Sequence, residues 1–224
     1  EPDDPDRCAD AFRRRLRRWV LLGPPGVGLA TLRAGWRAWR LPADRCGVRS
    51  AGNGAAMRAA IFGAWFGPDD PARLERFVRA NARVTHTDDR AIEAAVRVAR
   101  LAAGLDEPRP GERPSDPSGF APRTMEAVEW GLASAGDRIA NAVALGGDTD
   151  TVAAIVGGIE GALGRPPSPE RLAGIVDRPR SPNWLRGLAE DRSREPIAVL
   201  LLVRNAVVVG IVLFHGFRRL LPPY

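Results

Sequence analysis

The sequence predicts an all-α fold, and three observations carry that expectation. Apolar residues recur at three- and four-residue spacing through most of the 224 residues, the period of a helix with one buried face. No run alternates strictly between apolar and polar, as a half-buried strand would. Proline and glycine interrupt the pattern at short intervals, as at Gly23-Pro24-Pro25, Gly67-Pro68 and Gly164-Arg165-Pro166-Pro167, where helices stop. With 45% hydrophobic and 27% charged residues the composition is that of a globular protein, and the length suits one core, so residues 1–224 are expected to form a single-domain helical bundle.

Taken in order, the first helix spans 6–21, where Phe12, Leu16 and Trp19 share a face and the run Arg13-Arg14-Arg15-Leu16-Arg17-Arg18 reads as its solvated side. Helices at 26–39, 53–65, 70–84 and 88–103 follow, the last entered through Thr87 or Asp88 as N-cap. Leu105 to Pro122 contains the stretch DEPRPGERPSDPSG, with four prolines, and reads as an exposed loop. It is not a linker on this reading, because neither flank has enough helices with matched apolar faces to close its own core. Helices are then expected at 121–134, 136–145, 150–163, 168–176, 183–190 and 196–217. The last, PIAVLLLVRNAVVVGIVLFHGF, approaches the roughly 20 apolar residues that cross a bilayer. Arg204 and Asn205 lie at its centre, where a charge costs about 2.5–3.5 kcal/mol in lipid. It therefore reads as a buried core helix with His215 as a core residue, and no membrane is expected as a partner.

The formal charge of +6 and pI near 10.8 raise nucleic acid as a partner. All 33 cations are arginine, in a chain crowded with Ala, Gly and Pro. That skew reads as the codon usage of a GC-rich genome, and nucleic acid is not expected as a partner. Cys8 and Cys46 lie far apart without a CxxC spacing, which suggests free thiols and a cytoplasmic protein.

Three segments carry chemistry. In Gly146-Gly147-Asp148-Thr149-Asp150-Thr151 two carboxylates and a hydroxyl fall within one turn at a helix entrance, a set of hard oxygen donors that suits magnesium. The paired glycines would let backbone approach a ligand closely. The competing reading is that Asp148, Thr149 or Asp150 simply caps the helix. Ser50-Ala51-Gly52-Asn53-Gly54 is a glycine-rich turn feeding a helix, where backbone N–H groups and the helix dipole favour phosphate; alone, it is also a common turn. His86, in Thr85-His86-Thr87-Asp88-Asp89, stands in a polar turn where a ring nitrogen could meet a ribose hydroxyl or phosphate.

In this order and spacing, GNGAAMR, THTDDRAI and LGGDTDTVAAIVGGIEGALG resemble the ADP-ribosylglycohydrolase family. GVGLAT near the start and the tryptophan of SPNWL near the end extend the resemblance across nearly the whole chain. It implies an orthogonal helical bundle with a cleft for two magnesium ions, manganese being an alternative. Asp148, Asp150 and Thr151 match the later half of the metal motif, and Asp148 and Asp150 would carry the catalytic role. Ser50, Gly52, Asn53 and Gly54 would cradle diphosphate and ribose, His86 would position the ligand, and Gly28 would lie beside a phosphate. The family's first acidic motif, Thr-Asp-Asp or Ser-Asp-Asp, has no counterpart before GVGLAT, and the family would place it upstream of Glu1. The expected function is magnesium-dependent hydrolysis of the glycosidic bond linking ADP-ribose to a protein side chain or small molecule. The alternative is a non-catalytic ADP-ribose-binding module that has lost half of the metal site.

Overall fold

The structure is a computed structural model that describes residues 4–115, 117–174, 181–190 and 198–218. Among these, twelve α-helices are joined by turns and loops, with no strand beyond two isolated bridges. Two compact units divide the chain, Glu1–Arg17 with Gly28–Pro166 and Arg18–Val27 with Pro167–Tyr224.

The larger unit holds most of α1 (Pro5–Leu21), then α2 (Leu29–Arg37), α3 (Ala43–Cys46), a 3-10 turn at Ala56–Arg58, α4 (Ala60–Phe66), α5 (Pro71–Arg83), α6 (Asp89–Ala102), α7 (Ala121–Ala133), α8 (Arg138–Ala144) and α9 (Thr149–Ala162). Caps set several starts. Asp70, Asp88 and Asp137 accept from the N–H of Arg73, Arg90 and Ala140 and begin α5, α6 and α8, each satisfying a donor the helix leaves open. Helix α6 is the centre of the core, with Ile92, Ala95, Val98, Ala99 and Leu101 buried and α4, α5, α7 and α9 packed around it. Its neighbour α4 approaches so closely that a Cβ on Gly63 would lie 2.4 Å from the Ala99 carbonyl oxygen. Ile92, Leu101, Leu132, Ile155 and Ile159 are fully enclosed, and burial of each contributes about 1.5–3 kcal/mol.

The loop between α6 and α7 is pinned at both ends. At its start, Arg97 bridges Asp106 (2.6 Å) and Glu129 (2.9 Å), and Arg100 grips both oxygens of Asp106. At its end, Asn53 donates to the Gly119 carbonyl (3.0 Å) and Ala121 to the Ala51 carbonyl (2.8 Å).

Three sequence expectations change here. The helix expected from 53 begins only at Ala60, after a turn and the 3-10 segment, because the bridge between Gly52 and Phe120 engages the backbone at its start. Helix α3 is four residues long, too short to show a period. The arginine run is not purely a solvated face: Arg13 donates to the Ala38 carbonyl at 2.7 Å and Arg17 lies 5.2 Å over the Trp39 ring.

The smaller unit contains α10 (Pro169–Ala173), α11 (Pro182–Ala189) and α12 (Ala198–Arg218), the first two capped by Ser168 and Ser181. The expectation of a buried C-terminal core helix is corrected. Among the described side chains of α12 only Leu201 and Asn205 are buried, while Val199, Val203, Val207, Ile211 and Phe214 are exposed, as is His215. Apolar residues point all around this helix, and its buried stripe is narrow; it centres on Asn205, whose side-chain amide donates to the Leu22 carbonyl at 2.8 Å. The segment Ala198–His215 is long and apolar enough to cross a membrane by length and composition.

Candidate functional site

The start of α9 supplies the first wall of the site. Gly147 has φ +66°, and a Cβ there would lie 2.1 Å from the Pro117 carbonyl oxygen. The Asp148 N–H donates to that same carbonyl at 3.0 Å, so this glycine admits the α6–α7 loop rather than a ligand. Asp148 occupies the N-cap position, yet its side chain makes no capping bond. Instead its Oδ1 accepts from the Thr151 hydroxyl at 2.8 Å and its Oδ2 from the Asn53 amide at 2.6 Å. The capping explanation for Asp148 therefore fails. Asp150 lies exposed in the first turn of α9, and Thr151 is buried with its hydroxyl 3.9 Å from Met57 Sδ.

The glycine-rich turn forms the second wall. The second proton of the Asn53 amide goes to Thr124 Oγ1 at 3.0 Å, and Thr124 in turn donates to the Ser118 carbonyl at 2.9 Å. The Gly52 N–H is held by Ser50 Oγ at 3.2 Å and the Asn53 N–H by the Gly119 carbonyl, so both donors are engaged within the protein. Gly28 sits exposed at the N-cap position of α2. Thr31, three residues on, reaches the turn: its hydroxyl is 3.2 Å from where a Cβ on Gly54 would stand.

His86 forms the floor. Val48 pairs with it as a parallel bridge, through Val48 N–H to the Thr85 carbonyl and Thr87 N–H to the Val48 carbonyl. The ring is 2% exposed, and its Nε2 lies 3.4 Å from where a Cβ on Gly52 would stand. Burial, helped by the nearby Arg58 cation, lowers its pKa to about 4, so the imidazole is neutral at physiological pH. The Arg58 guanidinium is enclosed although the residue keeps some exposed surface, and enclosure lowers its pKa to about 10. It donates to Asn81 Oδ1 (2.7 Å), the Asn81 carbonyl (3.0 Å), the Gly54 carbonyl (2.7 Å) and Thr85 Oγ1 (2.8 Å), and lies 4.8 Å over the Phe12 ring. Asp88 caps α6, and its hydrogen bond to Arg90 holds its carboxyl at about 2.

The structure thus joins Asn53 directly to Asp148 across 95 positions of sequence and sets His86 against the same turn. Thr31, Arg58, Thr85, Ser118, Gly119 and Thr124 complete the arrangement without having been singled out from sequence. Thr31, Arg58 and Thr85 belonged to noted motifs, but Thr124 follows a proline-rich loop and carries no local signal. Asp148, Asp150 and Thr151 offer hard oxygens within one turn, the donor chemistry of a small divalent cation. Among the described residues no group of three His, Cys, Asp or Glu surrounds a single point. By donor type these are oxygens that magnesium takes, and water or ligand oxygens would be needed to complete a shell.

Fold and site together describe an all-helical protein that brings a carboxylate, an amide, a buried neutral imidazole and a glycine-rich turn together. The ADP-ribosylglycohydrolase family model matches residues 2–115 and 107–204. The chain belongs to the ADP-ribosylglycohydrolase family, a family of glycoside-cleaving hydrolases. A solved structure titled "ADP-ribosylglycohydrolase-related protein complex" is similar at 28% identity and a TM-score of 0.59, over 90% of this chain and 74% of that one. No curated protein sequence matches the chain.

Proposed function

We propose that the chain cleaves the glycosidic bond joining ADP-ribose to a protein side chain or small molecule, in a magnesium-dependent reaction at the Asn53–Asp148 site. The observation that carries this reading is the convergence of three distant segments: Asn53 meets Asp148 at 2.6 Å, and His86 Nε2 faces the Gly52–Gly54 turn. Hydrolysis adds water across the bond between the anomeric carbon and its acceptor, through a centre with oxocarbenium character. Asp148 and Asp150 supply the negative charge that stabilises such a centre, and Asn53 and Thr151 fix the orientation of Asp148. The same carboxylates and the Thr151 hydroxyl would hold magnesium, which when bound supplies positive charge that polarises ligand oxygens. The buried imidazole, neutral at working pH, orients the ligand by hydrogen bonding rather than by charge.

A second reading, an ADP-ribose-binding module without turnover, is favoured by one observation. Both oxygens of Asp148 are already satisfied by protein donors, so the carboxylate is stable without a cation. Thermal melts and a release assay separate the two. Millimolar ADP-ribose should raise the melting temperature by mass action, more so with magnesium, and Asp148→Ala should abolish the magnesium increment. Release of ADP-ribose from ADP-ribosyl-arginine or ADP-ribosyl-serine peptides supports the hydrolase; a thermal shift without release supports the binding module. An unchanged melt under all conditions counts against both.

A further inference from the structure

Arg58 is a cation enclosed by neutral groups. Its four acceptors are two amide or backbone oxygens of Asn81, the Gly54 carbonyl and the Thr85 hydroxyl. An enclosed charge without a counterion is costly, and packing alone would be served by an apolar side chain. Two of its bonds end on the candidate site, one on the glycine-rich turn and one on the residue before His86.

Thr85 Oγ1 relays the effect. It accepts from Arg58 and lies 2.8 Å from His86 Nδ1, against 3.3 Å from the Ala82 carbonyl. A hydroxyl that accepts from a guanidinium is polarised into a better donor and a poorer second acceptor, and the shorter contact is the one to Nδ1. Donation to Nδ1 leaves the ring proton on Nε2. That atom is buried, faces Gly52, and meets no hydrogen-bonding partner among the described residues. A buried polar atom without a partner is rare and calls for a ligand or an ordered water. Of the neighbouring charges, Asp88 is held by Arg90, and Arg58 is the one that acts on the ring.

We propose that Arg58 is a positioning residue which, through the Thr85 hydroxyl, holds His86 as the Nε2–H tautomer, so that the ring presents a donor to an acceptor oxygen of a ligand at the Gly52–Gly54 turn. The ligand's identity rests on the ADP-ribose reading above; the roles of Arg58 and Thr85 do not.

Long-range proton–nitrogen spectra of the full chain, labelled with nitrogen-15 at histidine, test this. The spectrum of His215→Gln assigns the two histidines. His86 should show its proton on Nε2 and stay neutral down to about pH 5. Thr85→Val should mix the tautomers while leaving the titration low. Arg58→Met should mix the tautomers and move the titration upward, since a nearby cation that disfavours the charged ring is lost. Arg58→Lys, which keeps the charge but not the fork, should restore the low titration without restoring a single tautomer. A wild-type ring protonated on Nδ1 would overturn the proposal, and so would unchanged tautomer and titration in both Thr85→Val and Arg58→Met. If Arg58→Met is unfolded by circular dichroism, Thr85→Val decides by itself: a mixed tautomer supports the relay and an unchanged one refutes it. Adding ADP-ribose to the wild-type sample gives the separate outcome for the ligand. A moved Nε2 resonance supports the ADP-ribose reading, whereas an unmoved one refutes it and leaves the tautomer result standing.

Discussion

Both protons of the Asn53 amide are directed at the site, one to Asp148 at 2.6 Å and one to Thr124 at 3.0 Å. Asn53→Ala removes a charge-assisted and a neutral hydrogen bond from a buried position, and we expect a loss of about 2–4 kcal/mol in urea unfolding. Asn53→Asp should be worse than alanine, because it places a second carboxylate against the first. Two glycines give a contrasting pair. Gly147→Ala meets the Pro117 carbonyl at 2.1 Å with φ +66° and should cost several kcal/mol or prevent folding. Gly161→Ala, in the last turn of α9 with open space around it, should stabilise by about 0.5–1 kcal/mol. If melts of the two variants move in the same direction, the close approach of the loop to α9 is not as described.

At the scale of the element, α12 separates apolar composition from burial. Its hydrophobic residues would have filled a core helix, yet only the Leu201 and Asn205 positions are enclosed among its described side chains. Leu201→Asp should therefore destabilise the smaller unit by several kcal/mol, since it buries a charge without a partner. Leu213→Asp, at a side chain 55% exposed, should leave stability within about 0.5 kcal/mol of wild type. Equal losses in the two variants, read by thermal melts followed by circular dichroism, would mean that the outer face of α12 is covered. The α6–α7 loop shows the opposite relation. Its composition is that of an exposed connection, but Arg97 and Arg100 hold its start at Asp106, and its end is hydrogen-bonded to Asp148 at the entrance of α9 and to the glycine-rich turn.

For the whole molecule, His86 makes stability depend on pH. Its pKa of about 4 in the folded chain lies below the ordinary value near 6.5 of the unfolded chain, so between those values the unfolded state binds more protons. Stability therefore rises with pH across that window and falls on acidification from about 6.5 to about 4, by about 3 kcal/mol for a shift of this size. The Asp88 carboxyl, held at about 2 by Arg90, loses its contribution at lower pH, below about 4. Urea midpoints of wild type and His86→Gln between pH 7 and 4 test the assignment, and the variant should lose most of the slope. An identical slope in both proteins would place the titrating group elsewhere.

Helix existence was legible in the sequence because apolar period and capping are local: Asp70, Asp88 and Asp137 cap α5, α6 and α8, and each expected helix from 70 to 163 has a counterpart within a few residues. The chemistry of GNGAAMR, THTDDRAI and GGDTDT was legible as residue types in order, and so was the family. Several roles were decided by tertiary structure alone. Only packing reveals that Asn53 directs its amide at Asp148, that Gly147 admits Pro117, and that Arg58 and Thr85 stand behind His86, since these contacts join residues whose sequence neighbours carry no record of one another. The exposure of α12 was likewise hidden, because apolarity states which surface avoids water but not whether the rest of the molecule supplies a matching face.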